Sequence, residues 1–293
     1  MNANKAVVLG GRTGLLGRSL VRALEAAGWA VVPLGRADVD IFDSQALAGV
    51  LDREECSALF NTVAYTQVDK AEDEPQEAYR LNEKLPQLLG RLARPRGIRL
   101  VHYSTDFVFD GRADTPYAPD APTNPLSVYG KSKLAGERAL LNQDVPSLLI
   151  IRTSWLFGPG KNNFVQKILE LARSRDTLGV VHDQVGSPSY TPDLARNSLA
   201  LMQAGGSGVH HLANAGQASW CELASEAVNA AGLQCRVTPI TTDQYPTKAK
   251  RPAYSVLDIS RFTGITGLKP RPWVQCLREY VFDDLHYPTE LHA

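Results

Sequence analysis

Residues 5–28, KAVVLGGRTGLLGRSLVRALEAAG, decide the fold. The apolar run 5–10 reads as a short buried strand. RSLVRALEAAG has helical periodicity and ends at Gly28. Between them Gly11, Gly14 and Gly17 form a GxxGxxG turn. One glycine permits the tight turn, another admits a diphosphate against the backbone, and the third lets the helix pack close to the strand. The helix N-terminus adds unpaired N–H groups and a partial positive charge. A glycine triplet at the first strand-to-helix junction therefore predicts a dinucleotide-phosphate site, with Arg12, Thr13, Leu15 and Leu16 as its intervening residues.

Working outward, WAVVPLG (29–35) reads as a second strand. Helices near 44–52 and 75–93 alternate with strands near 58–63, 98–103 and 147–152. This alternation predicts an α/β chain with a doubly wound parallel sheet covered on both faces. After about residue 155 the pattern loosens. Helices are expected at 163–174, 192–202 and 273–282, with a strand leading into a proline-bearing loop over 179–191 and another strand near 208–214. Ser219 is placed to cap the helix WCELASEAVNAAG, and a polar, proline-interrupted segment runs from 238 to 251. The expected division is a nucleotide-binding domain over 1–155 and a smaller substrate-binding lobe, woven onto it, over 156–293.

The composition excludes several classes. Of 293 residues, 44% are hydrophobic and 21% charged, as in an ordinary globular protein. Lysine plus arginine and aspartate plus glutamate both total 31, so nothing attracts nucleic acid or a membrane surface. Four scattered cysteines (Cys56, Cys221, Cys235, Cys276) form no CxxC and read as small core residues. The histidines show no metal-ligand spacing, and no metal site is predicted from them. His210 and His211, neighbours on an expected strand, would face opposite sides. Neither a signal peptide nor an apolar stretch of membrane length is seen, so the expectation is a cytoplasmic protein.

Tyr129 and Lys133 lie four residues apart in VYGKSKLAGE (128–137), on one helical face. Upstream, the apolar run IRLVHY (98–103) stops at Ser104-Thr105-Asp106. A Tyr-x-x-x-Lys pair with a hydroxyl at a strand end is suited to carbonyl reduction by a nicotinamide. A free tyrosine has a pKa of about 10, and a nearby ammonium is expected to lower it toward the range of efficient proton transfer. Thr105 would hydrogen-bond the substrate oxygen. At the end of the second strand stand Gly35 and Arg36 rather than an acid. Glycine leaves room for a 2′-phosphate, and a guanidinium pairs with it, so NADPH is favoured, with NADH the alternative. Arg12 is a second cation, and Asp40 and Ile41 lie where the adenine would rest.

These residues resemble the extended short-chain dehydrogenase/reductases and, more narrowly, the dTDP-4-dehydrorhamnose reductase family, with a Rossmann-type sheet. The markers are GGRTGLLG (10–17), VDIFD (39–43), NTVAYTQVDKAE (61–72), YSTDFVFDG (103–111) and NPLSVYGKSKLAGE (124–137). RTSWLFG (152–158), NNFV (162–165), DQVGSP (183–188) and KRPAYSVLD (250–258) continue the series. The resemblance implies that Thr105, Tyr129 and Lys133 are the catalytic hydroxyl, the proton donor and the lysine that orients the cofactor. It implies that Thr62, Val63 and Ala64 run beside the nicotinamide half, and that Thr66 and Val68 touch substrate. Asp69 and Glu72 are as readily loop braces. Asp106, Phe107, Trp155 and Arg251 match positions that meet the sugar nucleotide, Trp155 offering a flat face and Arg251 a cation for the diphosphate.

Departures from the family pattern are Phe107 for tyrosine, Ser127 for asparagine, Ser189 for threonine, and Asn-Thr-Val (61–63) for Asn-Ala-Ala. Some members use Mg²⁺ at a dimer contact built from late carboxylates. Here Asp283, Asp284 and Glu290 follow Glu279, so magnesium is left open. The implied activity is NADPH-dependent reduction of the C4 ketone of a nucleotide sugar, dTDP-4-dehydro-L-rhamnose, by a monomer or homodimer. Three alternatives stand beside it: a reductase of another dTDP-4-keto-6-deoxysugar, an epimerase retaining NAD, and a non-catalytic cofactor-binding regulator similar to the β subunit of methionine adenosyltransferase. Gly35-Arg36 argue against the epimerase, and the intact Thr105/Tyr129/Lys133 set argues against the regulator.

Overall fold

A computed structural model describes residues 4–287. The first half runs β1 (Lys5–Leu9), α1 (Leu15–Ala26), β2 (Ala30–Leu34), α2 (Ser44–Glu54), β3 (Ala58–Asn61), α3 (Val68–Ala71), α4 (Pro75–Tyr79), α5 (Leu85–Ala93), β4 (Arg99–Thr105), α6 (Val128–Leu141) and β5 (Leu149–Thr153). The second half adds β6 (Leu156–Phe157), α7 (Phe164–Ala172), β7 (Thr177–Val181), β8 (Val185–Gly186), β9 (Ser189–Tyr190), α8 (Thr191–Gln203) and β10 (Gly208–His211). It ends with β11 (Ala218–Ser219), α9 (Trp220–Ala230), β12 (Arg236–Ile240), α10 (Ser260–Thr266) and α11 (Trp273–Glu279).

Six parallel strands form the central sheet in the order β2-β1-β3-β4-β5-β10. Alternation along each strand sends its side chains to two separate cores. Ala6, Val8, Phe60, Val101 and Tyr103 pack with Leu20 and Leu24 of α1 and Leu199 of α8. Val7, Leu9, Leu59 and Leu100 pack on the other face with Leu47 of α2 and Leu89 of α5. Both faces are covered, so the strands are near-continuous apolar runs. A third core gathers α7, α9, α11 and β7 in the second half. Strand β10 and helix α8, both from beyond residue 155, complete the sheet and one of its layers. No helix among the described residues is long and apolar enough to cross a membrane.

Several elements differ from the sequence expectation. Strand β4 extends to Thr105, which places Ser104 and Thr105 in the strand rather than after it. The single helix expected over 75–93 is interrupted by a π turn, Arg80–Lys84, between α4 and α5. The polar, proline-interrupted segment from 238 begins inside β12, which pairs in parallel with β7; Pro239 and alternating polar residues hide its pattern. Helices α3 and α10 have only 4 and 7 residues, too short for a periodic signal. Ser219 does cap α9, in a reciprocal capping box with Glu222.

Helix α6 is docked with little clearance. A Cβ on Gly136 would collide with the Asn82 carbonyl oxygen, and one on Gly130 with that of Phe107. Gly136→Ala is therefore expected to lose about 1–3 kcal/mol from this overpacking, although alanine is the better helix former. Urea unfolding at unchanged m value checks it, and a stabilised variant would show that the helix has room to move.

Candidate active site

The turn after β1 depends on more glycines than the triplet. Gly10, which precedes it, is the residue with left-handed backbone (φ 81°), and its N–H donates to the Leu34 carbonyl at 2.9 Å. Gly14 N–H donates to the Gly10 carbonyl at 2.8 Å, and a Cβ on Gly14 would lie 2.7 Å from that oxygen. A Cβ on Gly17 would collide with the same atom, whereas one on Gly11 would lie 2.9 Å from Pro33 Cβ. The tight turn thus belongs to Gly10, and the close approach of α1 to Gly14 and Gly17. Helix α1 has no side-chain cap and no acid in its first turn, so its leading N–H groups face outward without a competing anion. That cradle fits a dinucleotide diphosphate.

The other expected cofactor positions lie around this turn. Arg12 and Thr13 are exposed, Leu15 is half-buried, and Leu16 belongs to the core. The sheet order reverses between β1 and β3, a topological switch point of the kind where such folds bind ligands. Thr62, just past β3, donates its hydroxyl to the Leu9 carbonyl at 2.7 Å, which accounts for threonine in place of alanine. Val63 N–H donates to the Asn61 side chain at 3.1 Å, and Ala64 is half-buried beside it. Arg36 is exposed, and among the described residues it makes no ion pair. Asp40 is committed locally, accepting from Phe42 N–H at 2.9 Å, while Ile41 packs on the core edge.

Thr105, Tyr129 and Lys133 converge at the C-terminal end of β4. Ser127 caps α6, accepting from Gly130 N–H at 3.2 Å, and so sets Tyr129 on the first turn. Lys133 is buried and donates to the Tyr103 carbonyl at 2.6 Å. Burial pulls its pKa down to about 8, against the opposing charge of Glu137. Burial also pushes Tyr129 up to about 12; the Thr105 hydroxyl opposes this and the Asp106 charge adds to it. The expectation that Lys133 lowers the Tyr129 pKa is therefore not met in this arrangement. The ammonium is committed to a strand carbonyl, and desolvation of the phenol dominates. Phe107 packs edge-on against the Tyr129 ring at 5.5 Å, so its ring replaces a hydroxyl contact with an aromatic one.

Asp106 is buried and accepts from Thr105 Oγ1 at 2.9 Å. Its other oxygen accepts from Ser255 Oγ at 2.6 Å. Burial pushes Asp106 up to about 6, against the donors Ser255 and Thr105 and the N–H groups of Asp106 and Phe107. Ser255 escaped the sequence reading because the contact spans 149 residues. Its only signal is its place within KRPAYSVLD.

The expected substrate positions divide. Thr66 is exposed and Val68 opens α3. Arg251 is not a free cation: it forms a bidentate pair with Asp69 at 3.1 and 2.7 Å. Ala249 N–H also donates to Asp69, and the Glu72 carboxylate accepts from Val128 N–H at 2.8 Å, so both acids brace loops. Trp155 has left-handed backbone (φ 50°), and its ring stacks on Trp220 at 3.5 Å, which covers one face. Asp284 accepts from Tyr190 Oη at 2.6 Å, and Glu290 lies outside the described residues. Among the described residues no group of three or more His, Cys, Asp or Glu is placed to hold a metal ion.

A diphosphate cradle at the switch point beside a Thr–Tyr–Lys cluster defines the class, an NAD(P)H-dependent oxidoreductase of the short-chain type. The sequence profile described as RmlD substrate binding domain matches residues 5–285. A dTDP-4-dehydrorhamnose reductase of Streptomyces griseus is 41% identical over 276 residues, covering 92% of this chain and 90% of that protein. The dTDP-4-keto-6-deoxy-D-glucose reductase of Streptomyces niveus is 39% identical, covering 92% and 94%. The crystal structure of dTDP-4-dehydrorhamnose reductase from Bacillus anthracis, in complex with NADP, superposes with a TM-score of 0.91 at 30% identity, covering 96% of this chain and 99% of that one. The chain belongs to the RmlD family of dTDP-4-dehydrorhamnose reductases and their relatives.

Two measurements probe the cluster. The folded chain holds the Lys133 proton less tightly (about 8) than an ordinary lysine (10.5), so its charge costs stability at pH below 8. That cost is lost as pH rises from 8 to 10.5. Lys133→Met should then melt no lower than wild type at neutral pH, with any advantage shrinking across that window; a variant markedly less stable at neutral pH contradicts the assignment. Ser255→Ala should lower kcat by about tenfold, the usual worth of a buried hydrogen bond to a charged group, with nicotinamide-nucleotide affinity unchanged. A loss confined to nucleotide binding would refute its action through Asp106.

Proposed function

We propose that this chain reduces the C4 ketone of dTDP-4-dehydro-L-rhamnose to dTDP-L-rhamnose, with NADPH as the preferred reductant. The observation that carries the reading is the convergence of Thr105, Tyr129 and Lys133 at the end of β4, beside a glycine turn fit for a dinucleotide. Gly11–Gly17, with Arg12, Arg36, Asp40, Ile41 and Thr62–Ala64, would hold the nucleotide, which supplies a hydride when bound. Thr105, turning its hydroxyl from Asp106, would donate to the ketone oxygen and hold it in line. Tyr129, a neutral phenol whose pKa burial raises further, would donate its proton to the oxygen as negative charge develops there. Lys133, protonated at neutral pH and one turn along the same helix, would stabilise the phenolate left behind. Residues 1–155 would serve mainly the nucleotide and 156–293 mainly the sugar, with Thr66, Val68, Asp106, Phe107 and Trp155 at the meeting of the two. Arg251 would reach the substrate diphosphate by exchanging its Asp69 partner.

Reduction of another dTDP-4-keto-6-deoxysugar is the second reading. It is favoured by Phe107, which faces Tyr129 with a ring instead of a hydroxyl, and by the name of the Streptomyces niveus relative. The test is loss of NADPH absorbance with dTDP-4-dehydro-L-rhamnose generated in situ, followed by product identification. Substrate-dependent oxidation yielding dTDP-L-rhamnose is expected. Oxidation only with a different keto-sugar moves the assignment to the second reading. Tyr129→Phe should cut turnover by about 10²–10⁴-fold with nucleotide binding nearly intact. Near-wild-type turnover would remove Tyr129 from the mechanism.

A further inference from the structure

We propose that Asp38 sets the balance between NADPH and NADH by competing with the 2′-phosphate for Arg12. The inference rests on the nicotinamide-nucleotide reading above and concerns one corner of that site. The sequence places Gly35 and Arg36 at the end of β2, with no acid at the position that meets the ribose. The structure brings one there. Residues 35–38 form a turn closed by Asp38 N–H on the Gly35 carbonyl at 3.2 Å. The Asp38 carboxylate then folds back over the strand end and accepts from Gly35 N–H at 2.7 Å. The same oxygen accepts from Arg12 Nε at 2.5 Å.

The pair lies over Gly35 at ordinary contact distance. A Cβ there would stand 3.4 Å from Arg12 Cβ and Cδ and 3.5 Å from the Asp38 oxygen, so the arginine stem lies directly across the glycine. Arg12 comes from the diphosphate turn, and Gly10 N–H already ties that turn to Leu34 at the end of β2. One small region thus holds both groups that decide the cofactor: an acid able to accept from a ribose 2′-hydroxyl, and a guanidinium able to pair with a 2′-phosphate.

They are bonded to each other, and that has a directional consequence. Only Nε of Arg12 is engaged, so a 2′-phosphate that takes the Nη groups must share a guanidinium whose charge Asp38 already offsets, and must lie close to that carboxylate. A 2′-hydroxyl has only to donate to Asp38, which leaves the Arg12 pair in place. The ion pair is well exposed, with side-chain exposures of 55% and 25%, so it adds little to folding and its effect falls on the ligand that arrives there. Arg36, on the same turn and without a carboxylate partner among the described residues, adds attraction for the phosphate but does not relieve the competition.

The experiment measures dissociation constants for NADPH and NADH separately, by nucleotide fluorescence or calorimetry, so no turnover is needed. Asp38→Asn keeps an oxygen for Gly35 N–H and removes only the charge; Asp38→Ser serves the same purpose with a different side chain. Either is expected to tighten NADPH by about 2–5-fold, the order of one exposed charge pair, with NADH unchanged or weaker. In an Arg12→Ala background the gain for NADPH should shrink, because the competition is gone. An unchanged NADPH/NADH ratio in both folded variants overturns the proposal, as does an equal gain with and without Arg12, which would mean simple repulsion. If the wild-type protein binds neither nucleotide, the nicotinamide reading fails along with it, an outcome distinct from an unchanged ratio.

Discussion

The buried pair of Glu137 and Arg152 fixes the helix on which the site depends. Arg152, from β5, donates to both Glu137 oxygens at 3.0 and 2.7 Å and to the Pro119 carbonyl at 3.0 Å. Both side chains are at most 5% exposed. Such pairs add little net stability, since desolvation offsets their attraction, but removing one partner strands a buried charge. Their consequence here is positional. Glu137 lies one turn after Lys133, and Gly130 and Gly136 let the same helix press against the Phe107 and Asn82 backbones. With α6 held at three points, Lys133 meets the Tyr103 carbonyl and Tyr129 meets Phe107 without further adjustment.

Residues 248–258 form a strap from the second half of the chain that reaches this helix, Leu257 packing with Leu134. Lys248 pairs with Asp73 and Arg251 with Asp69, which tie the strap to α3 and the turn after it. Ser255 then bonds Asp106 beside Thr105, and its N–H donates to the Val185 carbonyl at 2.8 Å in the second half. Tyr117 and Val256 close the far end, with Tyr117 N–H on the Val256 carbonyl at 2.8 Å. A single segment therefore touches the expected substrate loop, the acid beside Thr105, and the second half of the chain. The path from that segment to Thr105 runs through two hydrogen bonds, of 2.6 and 2.9 Å.

What could be read from the sequence was what local pattern controls. Paired cores on a parallel sheet follow from apolar runs separated by helices, and Ser219 with Glu222 announces a cap. The glycine turn was legible as a site, although its left-handed residue, Gly10, lay one position before the triplet. Strand β12 and helix α10 were not, because a proline and short length erase periodicity. In the site, the residues on one motif were found together, whereas Asp38 and Ser255 were missed. Asp38 acts through a turn that reverses its direction, and Ser255 through a contact across most of the chain. Arg251 was identified as a cation but not as one already paired, since no local pattern links positions 69 and 251.

Tyr129 shows why charge logic from spacing alone is incomplete. Four residues of separation place an ammonium near a phenol, and in water that would favour the phenolate. The same burial that brings the two together raises the tyrosine and lowers the lysine, each toward its neutral form. A neutral phenol is what a proton donor must be before the reaction begins. The partial burial that raises its pKa also lowers the effective dielectric, so an ammonium nearby counts for more once charge develops on the substrate oxygen. Burial thus opposes ionisation of Tyr129 at rest and strengthens the support available to it during proton transfer, and a Tyr–Lys pair on an exposed helix would provide neither.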